Sequence, residues 1–262
     1  MNGIIKYLKL YGIAGSNNLK SLLVYKLDFF IGLAAMFLNN AMRFLILVFI
    51  FNMVDKIKGW SFDQMLFFYG FSTMVTGLWH CFFINVISLP YYIRTGEFDR
   101  FLLRPVNLLF QITIDSLDED GWGELLLGIA LVIFACVRLG LPLWKLILLA
   151  PMAISGCAIL IAISLLLSAV SFISIGGVPV MELMLKMFEF TKYPVNIFSQ
   201  GLKIILSCVI PLGFVTFYPS MVFLGSNTLI YLTLVPLVSA AYFLVAYFVW
   251  NYSIKFYVSS GN

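Results

Sequence analysis

Charge is scarce in this sequence: 11% of its 262 residues are Asp, Glu, Lys or Arg, against about 25% in an ordinary soluble domain. A water-facing surface cannot be built from so little polar material, so a soluble fold of this length is excluded. Histidine occurs once, as His80, which leaves no HExxH and no paired-histidine metal site. The cysteines Cys81, Cys136, Cys157 and Cys208 stand singly in apolar runs without a CxxC spacing. They read as small buried hydrophobes, not as metal ligands or disulfide partners. No GxxxxGK[ST] run is present, so the chain has no P-loop of its own. Lys6 and Lys9 interrupt what would otherwise be the apolar core of a cleavable signal. The long apolar runs do not alternate with polar residues, which excludes a transmembrane β-barrel.

What fills the space is apolar: 62% hydrophobic and 17% aromatic residues, with a mean hydropathy of +1.03. At about 20 residues per span, this supplies five to seven crossings. The chain reads as all-α, a single polytopic transmembrane domain over 1–262. Its net charge of +4 reflects the cationic bias of cytoplasmic loops and implies no nucleic-acid partner.

Residues 1–20 open with an amphipathic stretch, Lys6 and Lys9 against Ile4, Ile5, Leu8 and Tyr11, too polar to cross and suited to the interface. Apolar spans follow at about 27–54 and 62–89, the second stopping at Pro90. The segment 90–122 is polar. Within it, Thr95 is placed to cap a short helix with Glu97 in its first turn, Arg104 in its last, and Pro105 ending it. Phe98, Phe101 and Leu102 form its apolar face, while Arg100 and Arg104 stack on another. Asp115, Asp118, Glu119 and Asp120 make 106–122 too acidic for lipid. Further spans read at about 123–137, 146–173 and 229–250.

Between the last two of these the sequence leaves two readings. In one, 180–194 lies on the inner surface and 196–218 spans. In the other, 180–194 spans and 195–218 dips into the outer leaflet and returns. Glu182, Lys186 and Glu189 share a face at i, i+4, i+7, and Pro211 splits the next apolar stretch, which favours the second reading. In the first long span, Asn39, Asn40 and Arg43 share a face that is costly to turn toward lipid. His80 reads as a hydrogen-bonded core residue. With the N-terminus inside, Lys6, Lys9, Lys20, Lys26, Arg94, Arg100, Arg104, Lys186, Lys192 and Lys255 fall on the inner side. Lys56, Lys58, Arg138 and Lys145 fall outside. Removing Lys186 and Lys192 leaves the sign of the bias unchanged, so both termini are expected in the cytoplasm.

The run Ile93-Arg94-Thr95-Gly96-Glu97-Phe98-Asp99-Arg100-Phe101-Leu102-Leu103-Arg104-Pro105-Val106-Asn107 resembles the I-R-x-G-x-x-D-x-x-L-x-R-P-x-N signature of a small branch of ABC-2-type exporter permeases. Tyr193-Pro194, Pro211, Tyr218-Pro219 and Leu224-Gly225 look like that family's penultimate region. Lys255-Phe256-Tyr257 with Ser259-Ser260-Gly261 is similar to its terminal pattern. The acidic run Asp118-Glu119-Asp120 is a departure. The resemblance implies a six-span subunit of a bacterial plasma membrane, with a re-entrant outer element before the last span. It pairs with a second permease, identical or different, and docks two ATPase subunits. ATP and Mg then belong to those partners, and this chain carries no cofactor and no catalytic site. The residues so implicated in ATPase coupling are Arg94, Gly96, Glu97, Phe98, Asp99, Arg100, Arg104 and Pro105. Asn39, Asn40, Arg43, Glu182, Lys186 and Glu189 are the candidates for permease pairing or the pathway. A secondary transporter or channel is the alternative, though no internal repeat supports it. No residue selects among lipids, hydrophobic drugs and amphipathic peptides as the substrate.

Overall fold

A computed structural model describes residues 3–24, 26–116, 118–172, 177–225 and 227–259. Ser260 and Gly261 of the terminal pattern, and the side chains of Glu119 and Asp120, lie outside the described residues. The described chain is helical: α1 (Gly3–Val24), α2 (Lys26–Met53), α3 (Phe62–Phe83), α4 (Leu89–Thr95), α5 (Asp99–Leu102), α6 (Leu108–Thr113), α7 (Glu119–Arg138), α8 (Leu149–Val170), α9 (Gly177–Phe188), α10 (Gln200–Ile204), α11 (Phe217–Leu224) and α12 (Thr228–Ser253). Five helices, or runs of adjoining ones, are long and apolar enough to cross a membrane: Phe30–Met53, Phe62–Thr95, Gly121–Arg138, Leu143–Val170 and Thr228–Phe256. A bent pair, Gln200–Val209 with Leu212–Leu224, makes up to six.

α3 is the centre of the bundle. Met65 through Gly77 are all buried, and α7 packs along its length. The two backbones approach closely because Gly77 and Gly128 meet the facing helix where a Cβ would overlap the backbone of Leu125 and Met74 respectively. α8 packs against α12 and α3, and the chain from Met152 to Ala169 is largely buried. Ser61 opens α3 with a capping box: its hydroxyl accepts from the Gln64 N–H, and Gln64 accepts from the Ser61 N–H. α2 lies at the edge, with almost none of its most apolar stretch buried.

Several expectations need correction. Pro90 does not stop a span: it occupies the first turn of α4, where a missing N–H costs nothing. Thr95 ends α4 instead of capping the next helix, its hydroxyl donating to the Tyr91 carbonyl at 3.0 Å. Gly96 follows with φ +77, the left-handed C-cap that glycine adopts without strain. The single helix expected over 96–104 is therefore a glycine turn and one helical turn, α5. Cys208 is exposed, unlike Cys81, Cys136 and Cys157.

Residues 177–197 run antiparallel to α3 along its whole length. α9 lies beside α4, Phe188 packs on Trp79 at 5.1 Å between ring centres, Thr191 meets Ser72 at 3.1 Å, and Asn196 accepts from the Trp60 indole at 3.0 Å. A π-turn over Ile205–Val209 then leads to Pro211, where the bent pair turns by 74°. Its turning point sits midway along α3, with Val215 against Gly156 and near Val75. Its last carbonyls, of Val222 and Phe223, accept from Lys145 Nζ at 3.3 and 3.2 Å, beside the start of α8.

Candidate functional site

The signature segment is anchored from beneath and open above. Phe98 is buried between Tyr257 and Phe172, with ring centres 4.7 and 5.3 Å away, and Phe101 is buried with it. The Asp99 carboxylate accepts from Tyr257 at 2.8 Å and from Ser259 at 2.6 Å. These two bonds hold the Asp99 carboxyl below its ordinary range, the Ser259 bond most strongly. Burial, then the adjoining carboxylate, pushes the Tyr257 hydroxyl up to about 12. The two stretches that sequence reasoning treated separately, Asp99 and the terminal Tyr-Ser pattern, thus form one clip.

Arg100 reaches across to Asp115 at 2.6 Å and lies over the Phe101 ring at 4.7 Å. Tyr92 donates to the same Asp115 oxygen at 3.1 Å. Gln111 spends its amide N–H bonds on the carbonyls of Phe101 and Val106, at 3.1 and 2.8 Å. Asn107 caps α6 by accepting from Phe110 at 3.1 Å, and its own N–H donates to Tyr7 of α1 at 3.3 Å. Phe98, Asp99 and Arg100 are therefore supports. The open face is made by Arg94, Glu97, Leu102, Leu103, Arg104 and Pro105. Leu102 does not join the apolar face expected of it, and Leu103 is 85% exposed. Nothing in the sequence pattern marked Leu103, because an apolar residue between two arginines reads as packing.

A second polar cluster lies between α2, α3, α7 and the 189–192 turn, partly exposed at Arg43 and Glu189. Arg43 pairs with Glu189 and donates to Asn39 at 3.0 Å. Asn40 is buried, with its carbonyl accepting from Tyr69 at 3.1 Å. Glu189 also takes Lys192 at 3.1 Å. Glu124 accepts from Thr76 at 3.0 Å and pairs with the His80 imidazole at 3.0 Å. The cost that Asn40 and Arg43 would carry toward lipid is met within the chain. Glu182 and Lys186 of α9 are exposed and form no ion pair with each other among the described residues, so the expected i, i+4 pairing is not made. Sequence reasoning missed Glu124, which sits one residue inside a span that appeared to begin at Gly123, and it missed Lys192 as a partner of Glu189.

Among the described residues no cluster of three His, Cys, Asp or Glu is placed to hold a metal. The arrangement is one of posts and contacts. No curated protein and no solved structure matches the chain. Residues 37–261 match the family described as ABC-2 family transporter protein, a span that holds the signature segment, the polar cluster and the tail clip. The chain is a member of the ABC-2 family of transporter proteins and a membrane component of an ABC transporter.

Proposed function

We propose that this chain is the permease subunit of an ATP-driven exporter and that its open 94–104 face receives the push of a separate ATPase. The observation that carries the reading is the construction of that face. Leu102 and Leu103 stand exposed among Arg94, Glu97 and Arg104, an apolar anchor in a charged rim. The turn beneath is tied to three separate elements, α6, α8 and the tail, through Gln111, Phe172 and Tyr257. A force applied to Leu103 reaches α8 and the end of α12 without passing through a loose joint.

A six-span layout with a cytoplasmic N-terminus supports this placement, because each long-range polar contact then joins residues of one side. Asp99 with Tyr257 and Asn107 with Tyr7 fall inside; Asp63 with Arg138 and Lys145 with Val222 fall outside. In this layout 177–197 is the fifth crossing, 200–224 is the re-entrant outer element, and α1 lies along the inner interface. Two permeases, identical or different, and two ATPases complete the transporter, in a bacterial plasma membrane, with ATP and Mg held by the ATPases. α2, with its lipid-facing apolar stretch, and the neighbouring 177–197 crossing with Glu182 and Lys186 form the flank offered to the second permease.

Reversing charge at the open face tests the coupling role. Glu97→Arg and Arg94→Glu are expected to insert and fold normally while ATP hydrolysis no longer drives transport. Normal transport with unchanged ATPase association in both variants would refute the assignment.

A further inference from the structure

The Arg43–Glu189–Lys192 cluster has one more cation than carboxylates, and a cleft opens onto it. The cleft holds about 70 Å³ and is lined by Arg43, Tyr69, Lys192 and Tyr193 at its polar end. Ile46, Leu47 and Ile50, a single stripe of α2, lead away from that end together with Met65. Glu189 gives one oxygen to Arg43 and the other to Lys192, so both its oxygens are used. Glu189 and Glu124 both line the neighbouring cavity, so this cleft is lined by two cations and no carboxylate. Two cations facing apolar walls favour an anion between them. Arg43 and Lys192 flank the place where one would sit.

We propose that this cleft is the seat of an amphiphile with an anionic head and a single alkyl chain, and that such amphiphiles are the class of substrate carried. The volume suits a carboxylate or a phosphate head. The stripe Ile46–Leu47–Ile50 supplies the bed for the alkyl chain. Arg43 lies ten residues before the end of α2 at Met53, hence about 15 Å below the outer edge by helical rise, near the middle of a core about 30 Å thick. The head is then at mid-membrane with the chain pointing outward. An inner-leaflet lipid lifted halfway across has this polarity, and a resident outer-leaflet lipid has the opposite one. This substrate class rests on the exporter reading above.

Photocrosslinking of the full-length protein tests the site without requiring its ATPase or transport. The purified permease in zwitterionic nanodiscs is exposed to a diazirine-bearing palmitate, and adducts are mapped by peptide. Labelling is expected on the 46–50 stretch and Tyr193, competed by oleate and not by oleyl alcohol or inorganic phosphate. Lys192→Gln should lower it about tenfold, the loss of one charge-assisted contact, and Lys192→Arg should restore it. Because Arg43→Gln removes a link between α2 and Glu189, Lys192 carries the test. Equal competition by the alcohol, equal competition by phosphate, indifference to Lys192→Gln, or absence of labelling on the 46–50 stretch would each overturn the proposal. If the site labels as expected and no ATPase associates with the chain, the exporter reading fails and the anionic-amphiphile site stands.

Discussion

A carboxylate at a protein surface gains little from a lone ion pair in water, and Asp99 makes none among the described residues. It accepts two hydroxyl bonds from the tail instead, and these depress its pKa. A group depressed in the folded state stabilises above its unfolded pKa of about 3.9 and loses that contribution as pH falls through its folded value. Tyr257 acts in the opposite sense: pushed up to about 12, it holds the clip at pH below about 10 and releases it as pH rises through 12. Hydrogen-exchange protection at residues 255–259, relative to the unfolded chain at the same pH, is therefore expected to be flat across neutral pH and to fall below about pH 3.9 and in strong alkali. Tyr257→Phe should raise exchange in the tail at pH 7 by severalfold through the loss of one hydrogen bond to a charged group, with the bundle unchanged. An unaltered tail would show that the clip does not hold it. The motif letters announced Asp99 and Tyr257 separately. Their meeting was not legible, because two residues 158 positions apart carry no local signal of contact. Leu103 and Glu124 were missed for a related reason: an isolated apolar or acidic residue takes its meaning from what stands opposite.

At the scale of elements, length and hydropathy made α2, α3, α7, α8 and α12 legible, since a lipid-facing helix must be long and apolar whatever it packs against. Their seams were not. Helices that are apolar all round give no periodic face to read, and the closest approach, α3 on α7, depends on glycines scattered through both. Gly128→Ala puts a methyl into the Met74 backbone and should cost about 1–3 kcal/mol, seen as earlier loss of a monodisperse peak on heating in detergent. Gly12→Ala in α1, where a Cβ meets open space, should leave the peak unchanged; equal behaviour of the two would contradict the close seam. The 178–228 region was legible only as a pair of alternatives. Pro211 and the charged stripe pointed to a hairpin after a short crossing; in the structure 188–196 runs past α3 from Trp79 to Trp60, and the next apolar pair bends by 74°. If 200–224 enters and leaves from outside, an impermeant thiol reagent should label cysteines at the exposed positions 199 and 227 from the exterior, tested in a Cys208→Ser background because Cys208 is itself exposed. Labelling of position 199 only from the cytoplasm would reject the arrangement.

For the whole molecule, the two polar sites divide the work. The open 94–104 face lies at the end of the bundle where α1, α6 and the tail converge, and the Arg43–Glu189–Lys192 cleft lies midway along α2. α3 and its continuation α4 connect the two levels, with Tyr69 at the cleft and Tyr92 at the Asp115 post. On the proposed function, the energy comes from a partner that hydrolyses ATP. The most direct measurement is purification of the tagged chain from its native membrane in mild detergent, with the bound proteins identified and ATP hydrolysis assayed. The account predicts a P-loop ATPase retained in a one-to-one ratio with total permease, and lost or uncoupled when Leu103→Asp is introduced at the open face. A chain that purifies without any ATPase, yet still moves its substrate in vesicles lacking ATP, would contradict it.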